Sequence, residues 1–162
     1  MKELNWCIEY LKKYNNITYD LKLPDLEALR ALENITMPDN LSDEFYDNQD
    51  KVLQEILKTK NIVDINNLSF NKDNIALYKG DITLINADAI VNAANEKLLG
   101  CFIPLHKCID NAIHSYAGLQ VRRDLLKVME KQKIDASNSD VNQDVIALAR
   151  TEEEACVQVF FM

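Results

Sequence analysis

Residues 75–114 read IALYKGDITLINADAIVNAANEKLLGCFIPLHKCIDNAIH, and the fold class turns on them. Ile75–Lys79 has the character of a short strand and is closed by Gly80-Asp81. Ala87–Val91 is a second strand signal, ending in Asn92-Ala93-Ala94-Asn95. Past a loop, Ile109, Ile113, Ala117, Val121, Leu125 and Met129 recur every fourth residue. That spacing predicts one long helix, able to absorb Gly118 at a cost of about 1 kcal/mol. Strand, turn, strand, loop and helix together predict an α/β layer arrangement.

Outward from this stretch the chain changes character twice. Residues 1–70 read as a helical N-terminal extension. Trp6, Ile8, Leu11 and Tyr14 recur at helical spacing, and Pro24 opens a second helix through Leu26, Leu29 and Leu32. Thr36–Asn40 is a break. Ser42 then caps a third helix, with Asp43 and Glu44 in the first turn where acids suit the dipole, and Tyr46, Val52, Leu53, Ile56 and Leu57 continue its apolar side. The expectation is a subdomain that packs on something else and carries no chemistry. Residues 134–162 form an acidic section: Asp135, Asp140, Asp144, Glu152, Glu153 and Glu154 against Arg150 alone, with a strand-like run at Val157–Met162.

Composition narrows the function classes. The 162 residues carry 18 basic and 26 acidic side chains, a net charge of −8. Phosphate backbones and anionic lipid both call for clustered Lys and Arg, so neither nucleic acid nor a membrane surface is expected as a partner. No stretch approaches the ~20 apolar residues that span a bilayer. The N-terminus has Glu3 and Glu9 within it and lacks the apolar run of a signal peptide. Four cysteines (Cys7, Cys101, Cys108, Cys156) make no dense disulfide pattern, which predicts a reducing, cytoplasmic setting. An apolar fraction of 48% is ample for a core.

The chemistry concentrates between Asp81 and His114. Cys101, His106 and Cys108 are the soft ligands that hold zinc, two thiolates balancing the ion's charge and an imidazole adding a neutral donor. His106 and Cys108 are two apart, about 200° around a regular helix, so they converge only from a loop or strand end. Three ligands leave a fourth position open, as in catalytic zinc sites; the plainer alternative is a reduced Cys pair beside an unrelated His. A zinc deaminase is set aside, because neither His-x-Glu nor Pro-Cys-x-x-Cys occurs. Asp81, at a strand end, can accept from an exocyclic amine or a ribose hydroxyl, or simply cap a turn. Asn92 and Asn95 can place carboxamides on a polyhydroxylated ligand, or cap strand and helix ends. No dinucleotide or phosphate-loop glycine fingerprint is present.

Taken together, Gly80-Asp-Ile-Thr, Asp88-Ala-Ile-Val-Asn-Ala-Ala-Asn95, Leu99-Gly-Cys-Phe-x-Pro-x-His-x-Cys-Ile-Asp-Asn-x-Ile-His114 and Ala117-Gly118 resemble the zinc-containing macrodomains of bacteria and fungi. The likeness is detailed over about 75–130 and looser over 1–74. It implies an α/β, macrodomain-like three-layer fold, present in part over 71–133 behind the helical extension. It implies a hydrolase that removes mono-ADP-ribose from protein. By matched position, Asp81 would hold the adenine amine and Ile82 a nearby backbone contact. Asn92 and Asn95 would face the distal ribose. Cys101, His106 and Cys108 would bind Zn2+. Asp110 and Asn111 would orient ligands from behind, or Asp110 would cap the next helix; His114, one turn beyond Asp110, would either join them behind the ligands or sit in the core, the core being favoured. Partners implied by family analogy are an ADP-ribosylated protein, ADP-ribose, a lipoyl-carrier protein and a sirtuin-type transferase.

After about residue 133 the likeness stops, and no Gly follows Gly118 to build the family's second, diphosphate-cradling loop. The expectation is a relative with a truncated or altered C-terminal end that keeps the zinc cluster but binds ADP-ribose poorly. The alternatives are a tail that replaces a strand in a working unit, a non-catalytic ADP-ribose-binding or zinc-stabilised module, and an inactive remnant.

Overall fold

The computed structural model describes residues 1–95, 97–137, 149–150 and 156–161, with side chains up to residue 131. Three helices come first: α1 (Lys2–Tyr14), α2 (Asp25–Ile35) and α3 (Asp43–Lys58). The Ser42 hydroxyl accepts from the Phe45 amide at 3.2 Å, so the expected cap on α3 is formed. Pro24 stands immediately before α2 with φ −54°, preset for helix entry. The three helices meet through Leu4, Cys7, Leu11, Leu29, Leu32, Phe45, Tyr46 and Val52, joined by Leu119 from much later in the chain. Rings of Trp6, Tyr10 and Phe45 stack in series at 5.1 Å spacings. Each such apolar side chain contributes about 1.5–3 kcal/mol when removed from water.

Two small sheets follow, so helices and strands mix as an α/β chain should. β1 (Val63–Asp64) runs parallel to β2 (Ile85–Asn86). β3 (Ala89–Ala94) pairs antiparallel with β5 (Cys156–Phe161) over six residues, Ala89 facing Phe161 and Ala94 facing Cys156. The short β4 (Ala149–Arg150) flanks β5 on its other side. The strand-like run of the acidic section is thus a strand. Among the described residues, no helix is long and apolar enough to cross a membrane.

Two local expectations fail, each for a physical reason. Ile75–Lys79 forms no strand: among the described residues nothing pairs with it, and Ile75 and Leu77 are exposed. The long helix is two, α4 (Ile109–Ala117) and α5 (Leu119–Ser137). Gly118 does not sit inside a helix; it takes φ +83°, a conformation that L side chains rarely adopt. The break lets Gln49 of α3 insert its side chain, whose Oε1 accepts from the Leu119 amide at 3.1 Å. A Cβ on Gly118 would come within 2.3 Å of the Gln49 amide nitrogen.

Where α2 meets α5 the apolar core gives way to polar groups. Arg122 of α5 is buried, and its Nη1 donates to the carbonyls of Glu33, Asn34 and Thr36 at 2.8, 3.2 and 2.6 Å. One guanidinium therefore closes the carbonyl end of α2. Glu33 is also buried, and its carboxylate oxygens find no hydrogen-bond partner among the described residues. Burial pushes its carboxyl up to about 8, with Arg122 and then Arg30 pulling the other way.

The sign of the resulting pH dependence follows. A raised carboxyl costs the folded state nothing below its unfolded pKa, and the cost grows until pH reaches the folded value. His114, which burial holds down at about 3, acts in the opposite sense between that value and 6.5. Between pH 6.5 and 8 Glu33 acts without that opposition, so stability should fall as pH rises. Glu33→Gln should flatten that slope and stabilise the protein at pH 8 by about 1–3 kcal/mol, read by urea melts at both pH values.

Candidate metal centre

The sequence between β3 and α4 folds as a loop tied down at both ends. At its start Asn95 Oδ1 accepts from the Lys97 amide at 3.0 Å and Nδ2 donates to the Gly100 carbonyl at 3.1 Å. Gly100 has φ +83°, and a Cβ there would lie 2.7 Å from the His114 ring; only glycine lets the loop pass this close. At its end Cys108 is the N-cap of α4, its Sγ accepting from the Asn111 amide at 3.4 Å.

Between these anchors the loop folds back on itself. Cys101 Sγ lies 3.5 Å from His106 Nδ1, and one ligand atom from each of Cys101, His106 and Cys108 falls within 4.8 Å of the others. Bonds of about 2.3 Å to sulfur and about 2.05 Å to nitrogen, at tetrahedral angles, put S and N about 3.6 Å apart. The observed S–N separation fits that edge. Two thiols and an imidazole so placed could hold a divalent metal, and zinc suits the donor set. His106 is exposed and both cysteines are half-buried, so the cluster opens to solvent on one side. Burial pushes the Cys108 thiol up, opposed by the Asn111 amide and reinforced by Cys101 beside it.

A cleft of about 640 Å³ runs along this open side. Its walls include His106 and Cys108, Asp81 and Ile82, and Glu27 and Arg30 from α2. The Asp81 carboxylate caps the turn at Ile82–Leu84, accepting from the Thr83 amide at 2.9 Å and its hydroxyl at 2.7 Å. Asp81 therefore fills the turn role and stands in the cleft wall at once.

Asn92 and Asp110 lie behind the cleft. Both are buried, and Asn92 Nδ2 donates to Asp110 Oδ1 at 2.7 Å, locking the end of β3 to the first turn of α4. Burial raises the Asp110 carboxyl, and the Asn92 bond and then Arg122 oppose it. His114 Nε2 lies 3.5 Å from the same Asp110 oxygen, and burial, with Arg122 nearby, keeps the imidazole neutral. His114 is buried, as expected of a core residue.

The helical extension, read from sequence as carrying no chemistry, reaches the site. Arg30 lies over the Tyr116 ring at 5.1 Å and its Nη2 donates to Asn111 Oδ1 at 3.5 Å. Asn34, fully buried, accepts from the Leu105 amide in the metal loop. The available signal was a polar pair, Arg30 and Asn34, one turn apart on a helix whose other face is leucine.

Helices, two small sheets and a Cys/His cluster beside a polar cleft define a mixed α/β chain with a group that could hold a metal. No family model matches it. It is 38% identical over 136 residues to the protein-ADP-ribose hydrolase of Treponema medium, covering 78% of this chain and 52% of that protein. It is 39% identical over 135 residues to the protein-ADP-ribose hydrolase of Staphylococcus aureus strain MRSA252, covering 80% and 50%. A probable bifunctional ADP-ribose hydrolase/ADP-ribosyltransferase of Fusarium oxysporum f. sp. cubense is 37% identical over 100 residues, covering 56% of this chain and 17% of that protein. The chain is a relative of the protein-ADP-ribose hydrolases over about four fifths of its length, and spans about half the length of the first two.

Metal binding here requires deprotonated sulfur, and the Cys108 thiol is held in its protonated form. Zinc titrated into the whole chain in weak buffer at pH 7 should therefore release protons, and affinity should rise with pH between 6 and 8. Calorimetry in buffers of different ionisation enthalpy reads both.

Proposed function

We propose that this chain is built for zinc-dependent hydrolysis of mono-ADP-ribose from modified protein side chains, on a partial macrodomain-like three-layer fold. The proposed division is the helical extension at 1–70, the macrodomain-like half at 71–133 and the acidic section at 134–162. What carries the reading is the presence of Asp81, Ile82, His106 and Cys108 in the wall of one cleft. A nucleotide-sugar needs a recognition end and a reactive end, and the cleft has a carboxylate at one place and a metal-type cluster at another. The names of the relatives supply the substrate class.

In this reading Asp81, already oriented by Thr83, accepts from the adenine amine, and the Ile82 backbone lies beside it. Asn95 serves the distal ribose, and Asn92, buried rather than facing the cleft, serves it only from behind. Asn95 fixes the loop through the Gly100 carbonyl, and Asn92 acts with Asp110, which it holds by a buried hydrogen bond. Cys101, His106 and Cys108 would hold the zinc. Bound there, it supplies a Lewis acid beside the scissile glycosidic bond, or a water of lowered pKa. The partners proposed are the ADP-ribosylated protein and ADP-ribose; the lipoyl-carrier protein and the sirtuin-type transferase rest on the resemblance alone.

The test is removal of ADP-ribose from a mono-ADP-ribosylated protein by the zinc-loaded chain. Cys108→Ser should cut turnover by at least about 100-fold, more than loss of an outer-shell partner costs, with ADP-ribose affinity and melting temperature held. No turnover by the wild type, with ADP-ribose bound, would make the chain a binding module. Collapse of the Cys108→Ser fold would make the metal structural.

A further inference from the structure

The loop that carries the metal ligands is held partly by its own bonds, among them the His106 amide on the Ile103 carbonyl at 3.2 Å, and partly from outside. Its peptide groups point into a chain of buried polar side chains that begins in the helical extension. Asn34 Oδ1 accepts from the Leu105 amide at 2.9 Å, and Asn34 Nδ2 donates to Ser115 Oγ at 3.1 Å. The Ser115 hydroxyl donates to Asn111 Oδ1 at 3.3 Å. Asn111 in turn donates through Nδ2 to the Ile103 carbonyl at 3.0 Å, and through its backbone amide to Cys108 Sγ. Asn34, Asn111 and Ser115 are all essentially inaccessible to solvent.

We infer that Asn34, on α2 of the helical extension, is a positioning residue for the metal centre: it fixes the Leu105 peptide and thereby the placement of His106. This rests on the metal reading above and goes beyond it, because it assigns the extension a part in the site.

The Leu105 amide belongs to the Pro104–Leu105 peptide unit, so the Asn34 bond holds the backbone one residue ahead of His106, whose own amide donates to the Ile103 carbonyl at 3.2 Å. Leu105 has φ +55°, a left-handed conformation uncommon for a residue with a side chain. The strain has to be outweighed by contacts, and its amide finds its acceptor in Asn34. Asn34 is itself restrained on two sides. It bonds to Ser115, and its own carbonyl accepts from Arg122 at 3.2 Å. Arg122 also lies over the Phe102 ring, next to Cys101, at 4.3 Å. The loop is thus gripped on both sides of its turn, at Phe102 by Arg122 of α5, which is itself bound to the end of α2, and at Leu105 by Asn34 of the extension. His106 is exposed, and inside the loop its backbone is tied by the Ile103 carbonyl.

The probe is Co2+ alone, added to the whole metal-free chain and followed by its ligand-field and sulfur-to-metal absorption, with Zn2+ competition for affinity. Asn34→Ala should lose about 10–100-fold in affinity for either ion, the range typical of outer-shell partners. Its Co2+ spectrum should lose the intensity of a tetrahedral site, with cooperative melting retained. Wild-type affinity and spectrum in a folded Asn34→Ala would overturn the inference and leave the metal reading intact. A wild type that binds no Co2+ would overturn both. Should Asn34→Ala fail to fold, amide hydrogen exchange in the metal-free wild type decides. Protection of the Leu105 amide far above that of its exposed neighbour Lys107 is expected; exchange at the unstructured rate would overturn the inference.

Discussion

The Leu105 amide, an exposed-loop donor drawn onto a buried helix side chain, sets the terms for the whole site. A neutral hydrogen bond of this kind contributes about 1 kcal/mol net, but leaving a buried partner unmade costs about 1–3 kcal/mol. That asymmetry makes the loop and the extension interdependent. Asn34 cannot be left facing an apolar interior, and the loop cannot leave without exposing that deficit. The placement of the loop that carries Cys101, His106 and Cys108 thus draws on the packing of α2 as well as on bonds within the loop, such as the His106 amide on the Ile103 carbonyl.

The same seam explains how two dissimilar sections form one body. The helices α1, α2 and α3 share an apolar core to which Leu119 of α5 also contributes. Next to it lies a layer of buried polar groups: Glu33, Asn34, Asn92, Asp110, Asn111, His114, Ser115 and Arg122. Apolar contact is tolerant of sliding, whereas a polar network in a low-dielectric interior is satisfied in few arrangements. The apolar core supplies the cohesion and the polar layer sets the alignment. Burial disfavours the charged forms of Glu33, Asp110 and Arg122 alike, and for Glu33 its neighbours Arg122 and Arg30 limit that effect without cancelling it.

Much of this was visible in the chain before any coordinates. The helical spacing of Trp6, Leu11 and Leu29 and the cap at Ser42 gave the extension, because local signals suffice for amphipathic helices. The convergence of Cys101, His106 and Cys108 could be expected from ligand chemistry over a short loop. What stayed hidden depends on contacts far apart in sequence. Gly118 looked like a tolerable helix interior until Gln49, some seventy residues earlier, proved to occupy the space a side chain would need. Ile75–Lys79 carries strand propensity, but propensity without a neighbour makes no ladder. Asn34 does not stand out in the sequence, and only the Leu105 amide that meets it reveals the bond it makes.

The pairing of β3 with β5 has a kinetic consequence. The helical core closes short loops, while Ala89 must wait for Phe161 before its ladder can begin. Loop-closure entropy makes such distant pairings slow and contacts among near neighbours fast. A nascent chain would assemble α1, α2 and α3 early and zip this sheet only once Cys156–Phe161 has been made. Until then the edge of β3 offers unpaired backbone groups to any passing strand, and that interval is the one open to mispairing.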